Sequence, residues 1–269
     1  MTTKASSDES LNAHPVKALV GCCGWVARDL LAMNKHIYCA KPITRTSAEA
    51  RRVKAAVLSS KVTTKASIQD SRSSPARATT ELLLSGAIDP IREVHFWTGT
   101  HGPSGLGRPK EVQIPPEGMN WDQWCGPSPL RPYHKIYHYG NWRPWWDFGT
   151  GNLGDVACHA LHVFHDELDM GAPDWVAANA CQSFSLAGTV ANSKCASIPN
   201  YVQWHFPACG KHPELMAYYY DGGLQPLDED SLSSPSRSEC SVARAAPSGP
   251  AVPVSLTGCA CQPVTRGIT

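Results

Sequence analysis

Between Pro15 and Thr98 the chain alternates short β-type runs with helix-type runs, and few folds accommodate that alternation. Pro15 to Met33 is apolar enough for a short strand and then a helix, with Gly21 and Gly24 weakening the helical part. Ile37 to Cys39 reads as a strand that stops at Ala40-Lys41-Pro42. Ser47 to Leu58 reads as a helix opened by a serine cap, with Glu49, Arg51, Arg52 and Lys54 on its polar side. Val62 to Ile68 gives the next strand, the run from Pro75 a further helix closed by Gly86, and Ile91 to Thr98 another strand. A parallel neighbour can be reached only by a long return connection, so strands alternating with helices predict a parallel sheet with helical crossovers. Residues 15–100 are therefore expected to form an α/β domain, after a polar, disordered stretch at residues 1–14.

The pattern then changes. Gly99 to Pro144 is rich in Pro, Gly and Trp and too long for a passive connection, so it is expected to line a site. Asn152 to Met170 reads as a helix. Trp175 to Ser183, Ile198 to Phe206 and Leu215 to Tyr220 are strand-like with no helices between them, which predicts an antiparallel sheet in a second, α+β domain over residues 101–227. From residue 228 to Thr269, Ser, Pro, Ala and Gly dominate without apolar periodicity, and a poorly ordered tail is expected.

Composition excludes several partners. With 24 basic and 23 acidic side chains and no basic cluster interleaved with aromatics, there is no field to attract nucleic acid. The N-terminal ten residues lack the apolar core of a secretory signal, and Ala18 to Ala27 is too short to span a bilayer, so a cytoplasmic protein without a membrane partner is expected. The 11 cysteines are odd in number and scattered, which points to free thiols. Cys22-Cys23, Cys259-x-Cys261 and Cys158-His159 lack the second spaced pair of a zinc site, and no metal is expected.

Chemistry concentrates at Gly149-Thr-Gly-Asn-Leu-Gly-Asp-Val-Ala-Cys-His159. Asp155 and His159 stand four apart, on one face if the segment is helical, where an acid and an imidazole can converge on one small molecule. Gly149, Gly151 and Gly154 also fit G-x-G-x-x-G, with Asp174 twenty residues on. That dinucleotide reading fails. No β-branched strand feeds the glycines, and Asp174 precedes an apolar run where the ribose acid should end one.

Three segments together resemble the Gfo/Idh/MocA family of nicotinamide-dependent oxidoreductases: Lys35-His-Ile-Tyr-Cys-Ala-Lys-Pro42, Asn141-Trp-Arg143, and Gly149 to His159. The likeness runs from about Lys35 to Gly223, with Trp121 to Pro127 and Arg131 to His134 similar to a bacterial subgroup. It implies α/β plus α+β architecture, with a Rossmann-like parallel sheet followed by a domain carrying an open, mainly antiparallel sheet. The parallel sheet is expected to be incomplete, because the family's opening strand, G-x-G-x-x-G turn and helix have no counterpart here.

The resemblance also implies NAD or NADP as cofactor, a sugar, cyclitol or related polyol as substrate, and a homo-oligomer formed through the antiparallel sheet. In the family's Glu-Lys-Pro and D-x-x-x-H motifs, Lys41 would approach nicotinamide and substrate beside Pro42, while Asp155 and His159 form the acid/base pair. Trp142, Arg143 and Gln69 would face the cofactor. Ala40 replaces the motif's Glu and Ala157 its usual glycine. Three functions follow: a polyol or sugar dehydrogenase, a non-catalytic binding or oligomerisation module, and an NAD-dependent glycosidase of the same family.

Overall fold

A computed structural model of the chain describes residues 13–16, 20–68, 73–87, 90–98, 107–138, 141–180, 183–185, 188–190, 194–196, 200–210, 212–226, 240–244 and 251–254. In chain order these form β1 (Ala13–Val16), α1 (Val20–Ala32), β2 (His36–Ala40), α2 (Ser47–Ser59), β3 (Thr64–Ser67), α3 (Ser74–Leu84) and β4 (Glu93–Trp97). There follow α4 (Trp121–Cys125), a 3-10 turn (Lys135–Tyr137), α5 (Gly151–Glu167), β5 (Trp175–Ala180), β6 (Ser183–Ser185) and β7 (Gly188–Val190). The last are β8 (Asn200–Phe206), β9 (Leu215–Tyr220), β10 (Cys240–Arg244) and β11 (Ala251–Val254). The described residues fall into two compact units, one within Met1–Ile68, Gly102–Asp155 and Ser183–Ala196, the other within Gln69–His101, Val156–Gln182 and Ser197–Thr269.

The first unit holds the parallel sheet, in the order β1-β2-β3. Cys23, Ala27 and Leu31 recur every four residues along α1 and are buried with Ile37 and Cys39 of β2, which alternate with exposed Tyr38. The cap of α2 is Thr46 rather than a serine. Its hydroxyl accepts from Glu49 N at 3.2 Å while the Glu49 carboxylate accepts from Thr46 N, so Ser47 is already inside the helix. In the Trp-rich stretch, Trp121, Cys125, Tyr133, Tyr137, Trp145 and Phe148 form a buried cluster with Cys195. Part of this stretch is thus core: the indole N–H groups of Trp121 and Trp145 donate to the carbonyls of Arg131 (2.6 Å) and Ile136 (3.1 Å), which lets both rings stay inside.

The second unit holds a six-stranded sheet in the order β11-β10-β4-β9-β8-β5, antiparallel except where β4 runs parallel to β9. An open, mainly antiparallel sheet is what the strand-only pattern predicted. The strand at 91–98 differs from expectation: it does not extend the parallel sheet but pairs with β9 and β10. Its alternation explains why, since Val94 and Phe96 are buried with Val202, Ala217 and Tyr219, while His95 stacks on Tyr218 with ring centroids 4.4 Å apart. The tail also departs from expectation at residues 240–244 and 251–254, which form a hairpin on β4 and satisfy backbone groups that an uncovered edge leaves open. In α3 and α5, Ala76, Leu83, Val163, Phe164 and Leu168 are buried, and Thr80 Oγ donates to Glu167 at 3.1 Å.

Buried Asp221 accepts from Asn200 N (2.6 Å), Asn200 Nδ2 (3.0 Å) and the Tyr219 hydroxyl (3.1 Å), tying the start of β8 to the end of β9. Nearer the other end of these strands, His205 Nδ1 lies 2.6 Å from Asp174 Oδ1 and its ring stacks on Trp175. The hydrogen bond raises the His205 pKa above its ordinary 6.5 and lowers that of Asp174 below 3.8. The His205 contribution is complete below pH 6.5 and is lost as pH rises through the raised value; that of Asp174 is complete above 3.8 and is lost as pH falls through the lowered one. An NMR titration should therefore place the His205 midpoint above 6.5, with Asp174→Asn bringing it back down. A midpoint unmoved by the substitution would show the contact absent in solution. No helix among the described residues is long and apolar enough to cross a membrane.

Candidate functional site

Lys41 follows the last residue of β2, where Pro42 cannot continue a ladder and the chain turns away through a cis Lys41-Pro42 peptide. Its ammonium donates to the Asp155 backbone carbonyl at 2.6 Å and to Asp155 Oδ1 at 3.1 Å. The other carboxylate oxygen accepts from Arg143 Nε at 2.6 Å. Asp155 is 7% exposed, a depth at which an unpaired carboxylate would be costly. One anion is shared by two cations, and this trio carries a net positive charge.

The backbone around Arg143 and Gly149 sets this geometry. Phe148 N and Gly149 N both donate to the Trp145 carbonyl, at 2.8 and 2.7 Å, and Gly151 N donates back to the Arg143 carbonyl at 3.0 Å. A side chain at Gly149 would overlap the Arg143 carbonyl, its first carbon falling 2.7 Å from the carbonyl carbon and 2.8 Å from Cα. Gly151 adopts φ 69°, where α5 begins. The Arg143 guanidinium lies over the Trp142 ring, 5.0 Å from its centroid.

A neighbouring hub anchors the same turn. The Asp147 carboxylate receives Arg108 (2.8 Å) and Arg131 (2.7 Å), while its carbonyl accepts from Arg45 at 3.2 Å and from the Ser128 hydroxyl. Sequence reading missed this hub. Arg131 stood in a segment marked as family-like, but nothing in its spacing from Asp147 announced the pair.

Lys41, Arg143 and Asp155 are brought together directly, with Trp142 stacked on Arg143 and Pro42 next to the lysine. His159 stands one turn beyond Asp155 on α5 and is half-buried. Gln69 lies outside the described residues. His162 is occupied locally, its Nδ1 2.8 Å from the His159 carbonyl oxygen, and His165 reaches the Gly171 carbonyl at 2.9 Å. Among the described residues no group of three His, Cys, Asp or Glu side chains could hold a metal.

One unit thus holds a small parallel sheet with crossover helices and a lysine at a strand end, and the other an open, mainly antiparallel sheet. Residues 95–184 match the family model for the Gfo/Idh/MocA oxidoreductase family, C-terminal alpha/beta domain. The fold is similar to that of the WlbA dehydrogenase from Bordetella pertussis, solved with NADH and UDP-GlcNAcA (14% identity, TM-score 0.57, covering 90% of this chain and 55% of that one). It is also similar to a levoglucosan dehydrogenase solved with NADH and L-sorbose (13% identity, TM-score 0.58, 92% of this chain and 54% of that one). A third is GenD2 from gentamicin A biosynthesis, solved with NAD (16% identity, TM-score 0.55, 93% and 57%). The chain thus spans little more than half the length of these proteins. No curated protein matches it by sequence.

A nicotinamide fits the lysine end of this site, where a fixed ammonium and an arginine stacked on an indole meet a buried carboxylate.

Proposed function

We propose that this chain carries the reacting end of a dehydrogenase site that moves a hydride between NAD or NADP and an alcohol carbon of a sugar, cyclitol or related polyol. The observation that carries the reading is the anchoring of Lys41 by both the carbonyl and the carboxylate of Asp155. The nicotinamide, when bound, supplies the hydride acceptor or donor. Lys41, Trp142 and Arg143 are the residues that would hold its reactive end, with Pro42 beside it.

As a carbinol is oxidised its hydroxyl proton must leave, and His159 would take it, an imidazole being suited to that transfer near neutral pH. Lys41 donates a hydrogen bond to the same oxygen and stabilises the charge that develops there. Asp155 fixes the lysine. The sugar ligands of the WlbA and levoglucosan dehydrogenase structures support the substrate class. A cytoplasmic setting and self-association through the open sheet face belong to the same proposal. The half-buried Glu93, His95, Tyr201, Tyr218 and Tyr220 lie on that face.

Ala40 in place of the motif's Glu favours a second reading, a binding or oligomerisation module without turnover. Titration of the purified chain with NADH, followed by nicotinamide fluorescence, separates the two. A saturable signal is expected for the dehydrogenase, and its absence at millimolar NADH would leave the module.

A further inference from the structure

Cys23 on α1 and Cys39 on β2 are each 2% exposed and share one apolar cluster with Ala27, Leu31 and Ile37. Their side chains are within hydrogen-bonding reach of each other, and Cys39 Sγ lies 3.6 Å from the Ala40 carbonyl oxygen. Neither thiol enters the proposed reaction. As packing, either could be replaced by another small apolar group. What two touching thiols add is a bond that neither can make alone.

We propose that Cys23 and Cys39 are a redox pair that closes to an intrachain disulfide, stapling α1 to β2 two residues before Lys41. The oxidant is a low-molecular-weight disulfide such as oxidised glutathione. The thiolate of one cysteine attacks a glutathione sulfur and expels one glutathione. The second cysteine then attacks the mixed disulfide and expels the other. The protein loses two protons and two electrons, and the oxidant leaves as two thiols.

The buried position makes the pair latent rather than inert. Hydrogen bonding to Cys23 and burial both push the Cys39 thiol up, so little thiolate exists while the helix is seated. Oxidation therefore requires α1 to lift, and the new bond then holds it down. The span between the cysteines contains α1's C-terminal part and the turn at Met33 and Asn34, so the staple shortens the free chain leading into the strand that ends at Lys41. This inference is independent of whether the chain turns over a substrate.

The full chain is incubated with oxidised glutathione, with and without sub-denaturing urea, then alkylated, digested with trypsin and mapped by mass spectrometry. The expected product joins the peptide of residues 18–28 to that of residues 36–45 at the summed mass less two hydrogens, and forms faster in urea. Cys23→Ala and Cys39→Ala should each abolish it, and Cys22→Ala should leave it intact. A link through Cys22, a persisting glutathione adduct on Cys39, or no link even in urea would overturn the proposal. Fragment ions from the parent chain locate the bonded sulfurs even if the alanine variants fail to fold.

Discussion

Replacing Asp155 by alanine is expected to cost about 3 kcal/mol of stability, at the low end of the range for breaking a buried ion pair. The reason is geometric: Oδ1 meets Lys41 at 3.1 Å and Oδ2 meets Arg143 at 2.6 Å, so truncation takes the carboxylate from two cations at once. Arg143 keeps about a third of its side chain in water, at 34% exposed, and recovers solvation that Lys41, at 15%, cannot. Asp155→Asn keeps the shape and the Lys41 contact to the backbone carbonyl while removing the charge, and should lose less than the alanine variant. Urea denaturation of parent, both variants and Lys41→Met measures the coupling, since residues sharing a partner are not additive. An alanine variant within about 0.5 kcal/mol of the parent would mean that the trio contributes nothing to the fold.

His159→Ala is expected to lower kcat by about 10²- to 10⁴-fold, the range for a general base, while the affinity for NADH stays within a few-fold of the parent. The split between the two readouts is the informative part. A base acts on the hydroxyl proton during reaction and adds little to ground-state cofactor binding. Matched losses of turnover and affinity would assign His159 to holding the cofactor instead. Alanine is the best helix former, so α5 itself should be undisturbed by the substitution.

Local rules made much of the fold legible. The crossover pattern through β3, the helix at Gly151–Glu167 and the strand-only stretch from β5 to β9 follow from periodicity, because each element buries one face. What periodicity cannot tell is which sheet a strand joins. β4 was grouped with the strands that precede it in sequence, yet its ladder runs to β9 and β10, a pairing fixed by contacts more than a hundred residues away. The hairpin of β10 and β11 was illegible for a related reason: polar and small residues make weak strands by propensity, and an edge already built supplies what they lack. At the site, the spacing of Asp155 and His159 predicted that the two share one helix face. The structure gives the Asp155 carboxylate Lys41 and Arg143 as partners, contacts across 114 and 12 residues that no helical spacing encodes.

Gly149 supplies no functional group to the site, yet its lone hydrogen faces the backbone of the residue that holds Asp155. Even a methyl there must push the Arg143 peptide aside, and Arg143 can move only by pulling its guanidinium off the shared carboxylate or off Trp142. Tolerance at this position is therefore a question of room rather than chemistry: the smallest possible change of side chain is expected to unseat the contact between Arg143 and Asp155 while leaving both residues in the sequence.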